Sequence, residues 1–75
     1  MRIVLRSFAT LRERRGTGEE SVELPDGITA AEAYHRLFPE PRVPVGYAVN
    51  LAHAPGSTVL RDGDELALLP PLGGG

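Results

Sequence analysis

Apolar and polar positions alternate over residues 2–8, with Ile3, Leu5 and Ser7 on one side and Val4, Arg6 and Phe8 on the other. A period of two carrying β-branched residues predicts a strand. Thr10 and Glu13 stand at capping-box spacing, and Gly16 stops the short helix they predict. Residues 21–24 form a second strand with Val22 and Leu24 inward, so residues 2–24 predict a β-hairpin with a long, partly helical connection. Pro25-Asp26-Gly27 is a turn. The clearest helix follows, opened by a Thr29/Glu32 capping box, with Ala30, Ala33, Tyr34, Leu37 and Phe38 on one stripe. Pro39 and Pro41 end it, and residues 39–44 read as an extended connector. Val45, Tyr47 and Val49 alternate as a third strand ending at Asn50. Residues 54–57 read as a loop, 58–60 as a brief strand, and 61–64 as a turn with Gly63 free to take positive φ. Residues 65–69 are the last strand, which Pro70 and Pro71 cannot continue because neither donates to the ladder.

Strand, strand, helix, strand, short strand, strand is an α+β order. It suits a ubiquitin-like β-grasp: a mixed sheet of four to five strands curled around one main helix. Residues 24–38 would form the covering layer over the first and last strands. Residues 1–71 would form the domain and residues 72–75 a flexible glycine tail.

At 75 residues the chain makes one domain with no room for a deep catalytic cleft. Its chemistry is therefore expected at an edge or an end, or shared with a partner. The formal net charge of −2 gives no case for binding nucleic acid or an anionic membrane. The longest apolar stretch falls far short of a span, and charge returns at Arg6 before any signal-peptide core forms. A soluble, cytoplasmic protein is expected. The absence of cysteine excludes disulfides, thiolate catalysis and Cys-based zinc sites. The absence of lysine excludes isopeptide chains built on the protein's own side chains.

The chain ends Leu68-Leu69-Pro70-Pro71-Leu72-Gly73-Gly74-Gly75. A terminal carboxylate that must reach a nucleotide's α-phosphate in a partner's pocket needs a thin, extended tail. Glycine has no Cβ to clash and no penalty for unusual backbone angles. The two prolines would end the sheet and stiffen the base of the tail in a polyproline-like form. Adenylation makes the carboxyl an acyl donor, and a sulfur nucleophile then yields a thiocarboxylate. With no cysteine, sulfur carried by this chain has only that terminus to occupy. The plainer alternative is a frayed or added end without function.

Several segments resemble the small sulfur-carrier subunits of molybdopterin synthase, in the MoaD and ThiS superfamily. They are residues 8–13 (Phe-Ala-Thr-Leu-Arg-Glu) with Gly16, residues 24–29, Val49-Asn50, residues 60–66, and Pro70-Pro71 followed by Leu72-Gly73 and then Gly74-Gly75. The resemblance spans nearly the whole chain. Its specific parts are the Phe-Ala…Arg-Glu segment and the Pro-Pro…Gly-Gly ending. Two positions depart from the pattern: Leu69 stands where relatives usually carry an aromatic residue, and no glycine follows Asn50.

The resemblance implies that Gly75 is adenylated by a MoeB-like enzyme using ATP, with no permanently bound cofactor in the carrier. A persulfide donor would make the thiocarboxylate. A MoaE-like large subunit would take in the tail, Gly73 and Gly74 threading, and pass sulfur to cyclic pyranopterin monophosphate. The carrier would not be an enzyme on its own. Phe8, Leu69, Pro70, Pro71 and Leu72 would dock the partner, with Arg12 pairing to one of its acidic residues. Phe8 and Leu69 are expected near the tail base, on the sheet face away from the helix. Rivals are a ThiS-like or tRNA-thiolation carrier, a protein modifier conjugated through Gly75, and an interaction module with an idle tail.

Other polar residues suggest no site. His35, on the polar side of the helix, and His53, in a loop, lack metal-ligand spacing. Turn chemistry accounts for Asp62, Asp64 and Glu65, and a solvated helix face for Arg12, Arg14 and Arg15 with Glu13.

Overall fold

The computed structural model describes residues 1–40 and 43–70. In β1 (Arg2–Ser7) the alternation becomes burial, with Ile3, Leu5 and Ser7 inward. β2 (Glu19–Glu23) pairs antiparallel to it, from Arg2 opposite Glu23 to Arg6 opposite Glu19. Ion pairs join both of these outermost couples, Arg2–Glu23 at 2.6 Å and Arg6–Glu19 at 2.8 Å. The strand thus begins two residues before the predicted one.

The connection carries α1 (Ala9–Arg15), and here the predicted cap is not made. Phe8 is the N-cap, without a side-chain bond, and Ala9 takes φ +52° as the chain doubles back off β1. The early start lets Leu11 reach the core. Burying a leucine stabilises by ~1.5–3 kcal/mol, against ~1 kcal/mol for a typical cap, so packing overrides the Thr10/Glu13 signal. Gly16 ends the helix as expected, at φ +80° with its amide on the Arg12 carbonyl.

α2 (Ala30–Leu37) has both halves of its capping box: the Glu32 amide donates to Thr29 Oγ1, and the Thr29 amide to Glu32 Oε1. Ala30, Ala33, Tyr34 and Phe38 are buried against Ile3, Leu5, Leu60, Leu66 and Leu68, with Leu37 packed at the margin. The Tyr34 hydroxyl donates to the Val43 carbonyl at 2.5 Å and accepts from the Val43 amide at 3.0 Å. One side chain thereby ties the helix to the far end of the proline-rich connector.

β3 (Gly46–Val49) and β4 (Ala52–Ala54) form a hairpin, and β5 (Glu65–Leu69) lies antiparallel to β3 and parallel to β1. The order β2-β1-β5-β3-β4 makes a five-stranded mixed sheet with the two chain-distant strands at its centre. β4 was not foreseen, and it places His53 on a strand. Its two-residue turn puts Asn50 at φ +52° and Leu51 at φ +70°, both left-handed as this hairpin type requires. Residues 58–60 do not join the sheet; they contribute an isolated bridge between Thr29 and Val59 and the buried Leu60.

The arginines of α1 are not simply solvated. Arg15 donates to Glu20 at 2.7 and 2.9 Å and to the Leu37 carbonyl at 3.1 Å. Arg14 reaches the Pro39 carbonyl, and both guanidinium groups lie over the Phe38 ring, at 5.5 and 5.8 Å from its centroid. Together they pin α1 to the end of α2. Among the described residues no helix is long and apolar enough to cross a membrane.

Candidate functional site

Where the tail leaves the domain follows from register. β1 and β5 run parallel with Ser7 opposite Leu68, so the next residues, Phe8 and Leu69, emerge at the same end of the sheet. Both line one pocket of about 160 Å³, whose other walls include Leu11, Val43, Val45 and Pro70. Phe8 is 43% exposed, and Leu69 faces Gly46, which has no side chain to cover it. The two docking candidates therefore meet in a notch at the sheet's end, each following a core-facing residue, Ser7 or Leu68. Small-molecule sites usually span ~300–1,000 Å³, so this notch suits one or two apolar side chains.

Among the described residues that line it, none carries an ionisable side chain. Its described walls offer apolar contact to a partner. Arg12 is not part of it; the exposed side chain lies over Gly18, and a Cβ there would meet Arg12 Nε at 3.2 Å. Among the described residues Arg12 makes no ion pair. Val43 and Val45 were missed as site residues. Their signal was Pro44 between them, whose fixed φ stiffens this end of the connector. Pro71, Leu72, Gly73, Gly74 and Gly75 lie outside the described residues, as does the boundary between residues 71 and 72.

The perturbed carboxyls are elsewhere and structural. Hydrogen bonds from Arg15 hold Glu20 below the usual carboxylate range, against the opposing effect of partial burial. The backbone amide of Thr29 does the same for Glu32. Asp64 accepts from the Asn50 side-chain amide and the Arg61 backbone, and Asp62 from the Arg2 backbone, so the acidic turn is occupied by its own hydrogen bonds. Among the described residues no cluster of histidines and carboxylates could hold a metal. His35 and His53 are both exposed.

A mixed five-stranded sheet closed by one principal helix, with its last strand central and its tail root at an apolar notch, defines a ubiquitin-like β-grasp protein. Residues 5–75 match the model of the ThiS family, and the chain belongs to that family. It is 34% identical to the molybdopterin synthase sulfur carrier subunit of Arabidopsis thaliana, over 91% of this chain and 77% of that one. Identity to the subunit of the same name from Chlamydomonas reinhardtii is 32%, with both chains covered in full. The putative molybdopterin converting factor subunit 1 of Pyrococcus furiosus superposes at a TM-score of 0.79 and 26% identity, covering 96% and 99% of the two chains.

Proposed function

We propose that this protein is the sulfur-carrying small subunit of a molybdopterin synthase, and that the carboxylate of Gly75 is its working group. The observation that carries the reading is the tail root: the central strand β5 delivers Pro70 to the lip of the Phe8–Leu69 notch. The names of the relatives support it. A carboxylate oxygen of Gly75 attacks the α-phosphorus of ATP in a MoeB-like enzyme, and pyrophosphate leaves. A persulfide then displaces AMP, and thiol cleavage of the remaining sulfur–sulfur bond leaves the thiocarboxylate. A MoaE-like large subunit receives the tail, with Gly73 and Gly74 giving reach. Sulfur passes there to cyclic pyranopterin monophosphate, and hydrolysis returns the carboxylate. Phe8, Leu69, Pro70, Pro71 and Leu72 grip the large subunit, and Arg12 meets an acidic residue on it. In this reading the carrier supplies the sulfur and the large subunit supplies the active site.

Intact mass after incubation with a MoeB-type enzyme, ATP and a sulfur donor tests this. Exchange of one oxygen for sulfur at Gly75 is expected. Sulfur transfer to the pterin precursor by a chain lacking Gly75 would overturn the mechanism.

A further inference from the structure

The chain contains two Asp-Gly steps, Asp26-Gly27 and Asp62-Gly63, and the fold holds them differently. We propose that Asp26 is a site of spontaneous isoaspartate formation in the folded protein, while Asp62 is protected. In this reaction the Gly27 amide nitrogen attacks Cγ of Asp26. The amide proton, one proton from solvent and one carboxylate oxygen depart as water, closing a succinimide. Water then adds at the former α-carbonyl and breaks its bond to nitrogen. The main chain now runs through Cγ, with a free α-carboxylate; one water is lost, one is regained, and nothing is oxidised. Glycine favours the attack because no Cβ hinders its nitrogen.

Both reacting groups are engaged at Asp62. Its Oδ1 accepts from the Arg2 amide at 2.8 Å, and the Gly63 amide donates to the Arg2 carbonyl at 2.8 Å. Arg2 belongs to β1, which is paired on both sides in the sheet, so ring closure at Asp62 must first break two bonds to a well-held strand. At Asp26 the carboxylate is 92% exposed and stands 3.3 Å from the Met1 amino group. Among the described residues the Gly27 amide has no acceptor, and Gly27 sits in an open turn at φ +82°. An exposed ion pair restrains weakly. Each backbone-type bond at its ordinary net strength slows the reaction severalfold, so two at Asp62 separate the sites by about tenfold or more.

The product would add one methylene to the main chain just before the Thr29 cap. That turn lies beside Met1, at the end of β1 away from Phe8 and Leu69, so the notch would be left intact. Its α-carboxylate is the acceptor chemistry used by S-adenosylmethionine-dependent isoaspartyl repair methyltransferases.

The test is ageing of the full chain at neutral pH, folded and in guanidinium, followed by peptide mapping with electron-transfer fragmentation, which distinguishes isoaspartate from aspartate. Isoaspartate accumulating at Asp26 about tenfold or more faster than at Asp62 in the folded chain, with the ratio collapsing on denaturation, is expected. Equal rates in the folded chain, a faster Asp62, or a preference that survives denaturation would each overturn the proposal.

Discussion

Phe8 and Leu69 lie at the same end of the sheet, each directly following one member of the Ser7–Leu68 pair. Parallel pairing produces this neighbourhood. Were β1 and β5 antiparallel, the end of β1 would lie beside the start of β5, far from Pro70. The tail therefore departs from a surface that β1, α1 and the connector build jointly.

If the notch grips the large subunit, Leu69→Glu should weaken binding by about tenfold or more, since truncating or charging a buried interface anchor commonly costs ~2 kcal/mol. Phe8→Ala should weaken it less. Both should fold normally, because Phe8 is 43% exposed and Leu69 is only partly covered. Titration calorimetry against a MoaE-like subunit, beside circular dichroism of each variant, makes the check; unchanged affinity for Leu69→Glu would remove the notch from the interface.

Removal of the Tyr34 hydroxyl should loosen the connector. Tyr34→Phe strands both the amide and the carbonyl of Val43, at a cost of about 1–2 kcal/mol. Urea denaturation should show a lower midpoint with an unchanged slope.

A gain is expected at the β3–β4 turn. Leu51 is 87% exposed at φ +70°, so it buys little packing for its left-handed backbone. Leu51→Gly creates an Asn-Gly turn and should stabilise by roughly 0.5–1 kcal/mol, raising Tm by several degrees. A lower Tm would show that Leu51 packs in a way its exposure hides.

Stability should carry the signature of Glu20. Its carboxyl is held below the ordinary glutamate range by Arg15, so the folded state binds the proton more weakly than the unfolded chain. The contribution is present in full above the unfolded value of ~4.3 and is lost as pH falls through the lower folded one. Glu20→Gln should therefore cost about 1 kcal/mol at pH 7 and progressively less toward pH 3. Parallel denaturation series across that range measure the convergence; a pH-independent gap would assign the cost to packing instead.

The sequence alone determined what short-range chemistry decides. The alternation of residues 2–8, the Thr29/Glu32 box, the Gly16 stop and the proline end of β5 all appear in the structure, because each depends on neighbours within about one turn or one pleat. The glycine tail and the absence of cysteine likewise belong to the sequence, and they direct the sulfur-carrier reading to Gly75. Tertiary structure decided whatever needs partners distant in the chain. Leu11's burial displaced the Thr10 cap by two residues, and the hairpin turn made a strand of residues 52–54. Arg14 and Arg15 became a clasp on Phe38, because that ring arrives from a helix more than twenty residues away. The same holds for the tail root. Phe8 and Leu69 were legible as candidates, but their meeting with Val43 and Val45 rests on the parallel β1–β5 register. No local periodicity encodes that pairing.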